Sequence, residues 1–61
     1  MVANTPDQYR KRATEFEHLA RRSRDFGLRR AYRDLAAQYK ELAEQAELLR
    51  DLARRMASGA L

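Results

Sequence analysis

"LRRAYRDLAAQYKELAEQAELLRDLARRM", residues 28–56, decides the fold. Leu28, Tyr32, Leu35, Tyr39, Leu42, Ala46, Leu49, Ala53 and Met56 recur at steps of four and three without a slip. That spacing predicts one long amphipathic helix with a coiled-coil-like seam. Leu or Met fills one set of seam positions, and Tyr or Ala fills the alternating set. Ala36, Ala43 and Ala57 flank the seam on one side, Ala31 and Leu52 on the other. A seam broadened by alanines suits a bundle with several neighbours better than a narrow two-stranded coil.

Upstream, "TPDQ" at residues 5–8 predicts a helix start. Thr5 is the cap, Pro6 takes the first helical position, Asp7 complements the helix dipole and Gln8 completes a capping box. Tyr9, Ala13, Phe16, Ala20 and Ser23, with Leu19 alongside, then form one helical face. Lys11, Thr14, Glu15, His18 and Arg22 form the polar face. The pattern breaks at "SRDFGL", where Asp25 is a natural N-cap and Gly27 weakens helix continuity by about 1 kcal/mol relative to Ala. A tight turn near residues 23–26 is therefore expected, with a single bent helix as the alternative. The domain runs over 6–57, as helix 1 at about 6–24 and helix 2 at about 26–57. Short tails cover 1–5 and 58–61, with Gly59 as the expected helix stop.

At about 1.5 Å per residue, helix 1 spans roughly 28 Å and helix 2 roughly 47 Å. Folded back, helix 1 covers helix 2 only to about residue 44. The overhang carries Ala46, Leu48, Leu49, Leu52, Ala53 and Met56. A contiguous apolar surface of this kind is rarely left in water by a monomer. The expectation is a twofold dimer, an antiparallel four-helix bundle, whose interface comprises Leu35, Tyr39, Leu42, Ala46, Leu48, Leu49, Leu52, Ala53 and Met56. The sequence leaves open whether the dimer goes on to a tetramer.

Composition points the same way. A chain of 61 residues buries only about 60% of its unfolded surface, so a lone core is marginal. With no Cys and one His, disulfides and metals have almost no material, and self-association remains. The lack of Cys agrees with a reducing, cytoplasmic setting. "MVANTPDQYR" lacks the features of a signal peptide, and no apolar run approaches a membrane span.

Four motifs compete for a chemical role. Glu15 and His18 have the E-x-x-H spacing of di-iron bundles, yet both lie about 110° to 170° from the apolar face of helix 1, so no metal site is expected. The triplet Asp25-Phe26-Gly27 matches a kinase metal-binding motif by chance, since nothing else of a kinase is present. Tyr9, Phe16, Tyr32 and Tyr39 fall on apolar stripes and read as core, leaving Phe26 to lid the core or stay exposed. Arg21, Arg22, Arg24, Arg29, Arg30 and Arg33 gather at the turn as a candidate anion-binding cluster. Against a nucleic-acid role, Asp25 and Asp34 lie one turn from Arg21 and Arg30, and no recognition-helix motif accompanies the cluster. A solvated surface is the favoured reading of these arginines.

"YRKRATEFEHLA" and "LAAQYKELAEQAE" resemble a group of short, largely uncharacterised bacterial helical-hairpin proteins. These share an early Tyr-Arg, a turn and an L-A-x-x-Y-x-x-L-A-E-x-A repeat, which falls here on Leu35, Ala36, Tyr39, Leu42, Ala43, Glu44 and Ala46. Such relatives usually open the second helix with Asp-Pro, where this chain has Asp25-Phe26. The resemblance implies a helical hairpin and brings no activity or cofactor. The expected protein is an all-α, antiparallel helical hairpin that dimerises into a four-helix bundle. It acts as a structural or protein-interaction module, with no enzymatic activity, cofactor, small-molecule substrate or membrane partner. The second reading is a basic nucleic-acid-associated protein, and the third a helix donor that regulates another protein.

Overall fold

A computed structural model describes residues 5–59 as two helices, α1 (Pro6–Arg22) and α2 (Phe26–Gly59). They fold into a hairpin with extents of 56 × 20 × 14 Å. Neither helix is long and apolar enough to cross a membrane. Of the expected tails at 1–5 and 58–61, residues 1–4 and 60–61 lie outside the described residues, Thr5 caps α1, and 58–59 belong to α2.

The start of α1 forms as its sequence dictates. The Gln8 amide donates to Thr5 Oγ1 and the Thr5 amide donates to Gln8 Oε1, both at 3.2 Å, so two otherwise orphaned backbone donors are satisfied reciprocally. The turn is sharp, and the single bent helix is excluded. α1 ends at Arg22, two residues earlier than expected, because Ser23 leaves the helix with φ −76° and ψ 132°. Its amide still donates to Leu19 O at 3.0 Å, while its hydroxyl donates to Asp25 O at 3.3 Å. That local bond gives the chain an alternative to another helical turn.

Asp25 caps α2: its Oδ1 accepts the Leu28 amide at 3.0 Å, and its carbonyl accepts the Arg29 amide at 2.9 Å. Gly27 fits beneath this cap, since a Cβ there would sit 3.3 Å from Asp25 Oδ1. Arg29 closes the turn from the other side, its Nη2 donating to Ser23 O at 2.9 Å. At its far end α2 is described as far as Gly59, two residues beyond the expected end near 57. Gly59 has no positive φ and nothing within 4 Å of its Cβ position.

The core is thin. Besides Pro6, the buried residues are Ala13 and Ala20 of α1 and Ala36 and Ala43 of α2, at 1% to 4% exposure. No large side chain among the described residues is fully buried. Alanines spaced seven apart on both helices let the backbones approach closely. Around them runs an aromatic ladder. Tyr9 and Tyr39 have ring centroids 6.2 Å apart, Tyr39 and Phe16 stack at 5.6 Å, and Phe16 and Tyr32 stack at 6.0 Å. These offset contacts add roughly 0.5–1.5 kcal/mol per pair beyond area burial.

Because Ala43 is 1% exposed against α1, Ala43→Leu should separate the helices. The expected loss is about 1–3 kcal/mol, read from urea unfolding at fixed protein concentration.

Candidate self-association face

α1 does not sit where the simplest reading of the repeat places it. The expected seam alternates leucines with Tyr32, Tyr39 and Ala46, and treats Ala36 and Ala43 as its flank. In the structure that flank is the centre of the hairpin: Ala36 and Ala43 are buried, and Tyr32, Tyr39 and Ala46 are half-buried beside them. The leucine row is turned to the edge. Leu28, Leu42, Leu49 and Met56 are 51%, 40%, 67% and 72% exposed, and only Leu35 of this row is half-buried. The physical reason is size, since alanines permit a close helix approach that a row of leucines would hold apart.

Displacement of the seam creates a second one. Leu28, Ala31, Leu35, Gln38, Leu42, Gln45, Leu49, Leu52 and Met56 step by three and four along α2, again without a slip. This heptad row is exposed except at Leu35. It shares Leu28, Leu35, Leu42, Leu49 and Met56 with the first row and replaces Tyr32, Tyr39, Ala46 and Ala53 by Ala31, Gln38, Gln45 and Leu52. Leu19 of α1, 41% exposed, follows Arg12 and Glu15 at helical spacing, and those two line an open groove with Tyr9, Tyr39 and Leu42. The exposed row therefore runs from Leu28 to Met56 of α2, and at Leu42 it borders the groove lined by Arg12 and Glu15 of α1.

Beyond Glu47 nothing from α1 reaches α2. Every described residue from Leu48 onward is exposed, with Leu48 at 60% and Leu52 at 44%. This overhang of about 18 Å is slightly shorter than its sequence suggests. Of the nine expected interface residues, Leu35, Leu42, Leu49, Leu52 and Met56 lie on the second heptad row, and Leu48 lies on its outer flank. Tyr39 and Ala46 are on the side that packs against α1. Ala53 continues their line past the end of α1 and is exposed. Missed in the sequence was the row through Ala31, Gln38 and Gln45. Its signal was present as an equally regular period, masked by two glutamines at apolar-type positions.

The chain exposes 5443 Å², against roughly 4100 Å² for a compact monomer of its mass of 7.2 kDa. It buries only about half of its unfolded surface, short of the ~60% usual at this size.

Ion pairs mark the opposite edge of the hairpin. Arg10 bonds Glu47, and Lys40 Nζ lies 2.6 Å from Glu17 Oε2. The hydrogen bond and charge of Lys40 hold the Glu17 carboxyl below its ordinary value, and Glu47 raises Arg10 further. Glu15 and His18 are exposed, and Glu15 faces Arg12 at 3.4 Å. No group of three or more His, Asp or Glu that could hold a metal occurs among the described residues.

The six arginines of the turn do gather at one end, with Phe26 beside them and 78% exposed. Arg29, Arg30 and Arg33 line a shallow concavity with Phe26 and Asp34, and Arg29 Nε is buried without a partner. The pairing of Arg30 with Asp34 and of Arg21 with Asp25 expected at one-turn spacing is not formed, since neither pair comes within 4.0 Å. Asp25 instead turns its carboxylate to the backbone.

No known family matches this chain, and no curated protein or solved structure is significantly similar to it.

Since the Glu17 carboxyl is depressed in the folded chain, its pairing stabilises above the ordinary carboxyl value of 4.5 and is lost as pH falls through the lower folded value. Helicity followed by circular dichroism should fall with acidification in that window. Glu17→Gln should be weaker at neutral pH and lack this component of the acid transition.

Proposed function

We propose that this protein is a non-enzymatic self-associating module, a homodimer in which two hairpins dock leucine face to leucine face as a four-helix bundle. One observation carries the reading. The hairpin spends its small residues on itself and leaves a heptad row of leucines uncovered along its long helix. Fully burying a leucine contributes about 1.5–3 kcal/mol, and a core of four alanines supplies little of that alone.

A second copy is the occupant that fits, in antiparallel orientation. The outer flank of the row carries Asp34, Glu41, Leu48 and Arg55 at steps of seven. Antiparallel pairing lays the acidic half of this flank on the half that ends in Arg55, bringing Asp34 toward the partner's Arg55. Parallel pairing under twofold symmetry would set this flank against the opposite flank of the partner's α2, so only the antiparallel arrangement brings Asp34 to Arg55. Antiparallel docking also lays each overhang along the first half of the other α2, so one geometry covers both apolar ends. Gln38 and Gln45 then lie in or beside the seam, where paired amides select a register at some cost in stability.

The chemistry available supports a binding role over a catalytic one. The chain has no Cys and one exposed His, which leaves no activated nucleophile with a base beside it. A chain without Cys suits the cytoplasm.

Leu49→Lys combined with Leu52→Lys tests the assignment. Both side chains lie beyond the reach of α1, so a self-sufficient hairpin would tolerate them. The expected result is a monomer that has lost most of its helicity, by sedimentation and circular dichroism. A variant that remains helical and dimeric would contradict the reading. A wild-type chain that is monomeric and poorly ordered alone would favour a helix donor for another protein.

A further inference from the structure

The turn end carries an exposed group that self-association does not use. Phe26, the first residue of α2, is 78% exposed and takes no part in the aromatic ladder. It precedes Leu28 by two residues, which sets it about 160° around the helix from the leucine row. A partner docked on that row leaves Phe26 in water.

The electrostatic setting is one-sided. Residues 21–33 hold six arginines and one aspartate, a net charge of +5, whereas the whole chain carries +4. The other 48 residues, with seven basic and eight acidic side chains, net −1. All of the chain's excess positive charge thus sits at the turn. It is also unspent: the four ion pairs among the described residues use Arg10, Arg12 and Lys40, and none uses an arginine of the turn. Asp25, the single acid in the stretch, is engaged by the Leu28 amide. Arg29 is half-buried and bonded to Ser23 O, while Arg30 and Arg33 are exposed in the concavity with Phe26, and Asp34, which also lines it, forms no ion pair with Arg30.

We propose that the hairpin tip binds single-stranded nucleic acid, one base stacking on the Phe26 ring while Arg30 and Arg33 hold the neighbouring phosphates. Three features favour this ligand. Every cation here is arginine, whose planar fork pairs phosphate oxygens two at a time and also stacks on bases. A single projecting ring can take only a base that is already out of its stack, which selects single strands over duplex. An anionic bilayer is the weaker fit, because interfacial binding needs a spread apolar face and the concavity offers one phenyl ring among charges. No group is arranged to read base edges, so the binding has no sequence preference.

The test uses the full chain and fluorescence anisotropy with a labelled short oligo(dT), a duplex of equal length and anionic phosphatidylserine vesicles. Micromolar binding to the single strand is expected at about 50 mM salt, falling with a log–log slope of roughly −2 to −4. Phe26→Ala should weaken it about ten-fold with the slope unchanged, and Phe26→Tyr should restore it. Arg30→Ala with Arg33→Ala should flatten the slope by about 1.4. Phe26 is exposed, so the Ala variant should keep wild-type helicity and sedimentation, and failure to bind nucleic acid would leave the self-association reading standing. Equal binding of the duplex, an unaltered affinity in Phe26→Ala, or binding to vesicles alone would overturn the proposal.

Discussion

The contact between the alanines of α1 and α2 governs the rest of this structure. Ala13 and Ala20 on one helix and Ala36 and Ala43 on the other are the side chains the hairpin buries best, and they are the smallest apolar residues available. A helix pair that closes on alanines gains proximity and gives up volume. Its aromatic neighbours are drawn in at the rim, where Tyr39 stacks against Phe16 and Tyr9. The leucines, bulkier and offset by a fraction of a turn, are pushed to the edge. One packing choice therefore fixes both how the hairpin closes and which face it leaves unfinished.

That choice divides an apolar surface into two layers with different roles. The Tyr/Ala layer joins α1 to α2 within a chain, and the leucine layer remains for another surface. In the proposed dimer folding and association become one problem, because the small inner layer supplies less burial than is usual for a free-standing domain of this size. Ion pairs do not change the balance. Arg10–Glu47 and Glu17–Lys40 are exposed pairs on the far edge, whose worth is small and screened by salt.

Much of this was legible in the residues. The capping box of Thr5 and Gln8, the turn at Ser23–Asp25 and the cap from Asp25 follow from local chemistry, which tertiary packing had no reason to override. The aromatics were legible only in part: Tyr9, Phe16, Tyr32 and Tyr39 read as core and do meet between the helices, but they are half-buried at the rim around the alanines. The side of the leucine row that α1 occupies was not. Leu28, Leu35, Leu42, Leu49 and Met56 belong equally to a heptad with Tyr32 and Tyr39 and to one with Ala31 and Gln38. Hydrophobicity favours the first as the single seam, whereas close packing moves α1 toward Ala36 and Ala43. Phe26 was left open between lidding the core and staying exposed, and as the first residue of α2 it is exposed.

Sedimentation equilibrium of the wild-type chain, run over a wide dilution range with helicity followed on the same samples, bears most directly on the central claim. A particle of twice the 7.2 kDa chain mass, losing mass and helicity together on dilution, is the predicted result. A particle of single-chain mass that keeps full helicity at every concentration would contradict it, because the alanine core would then suffice and the leucine face would need no cover.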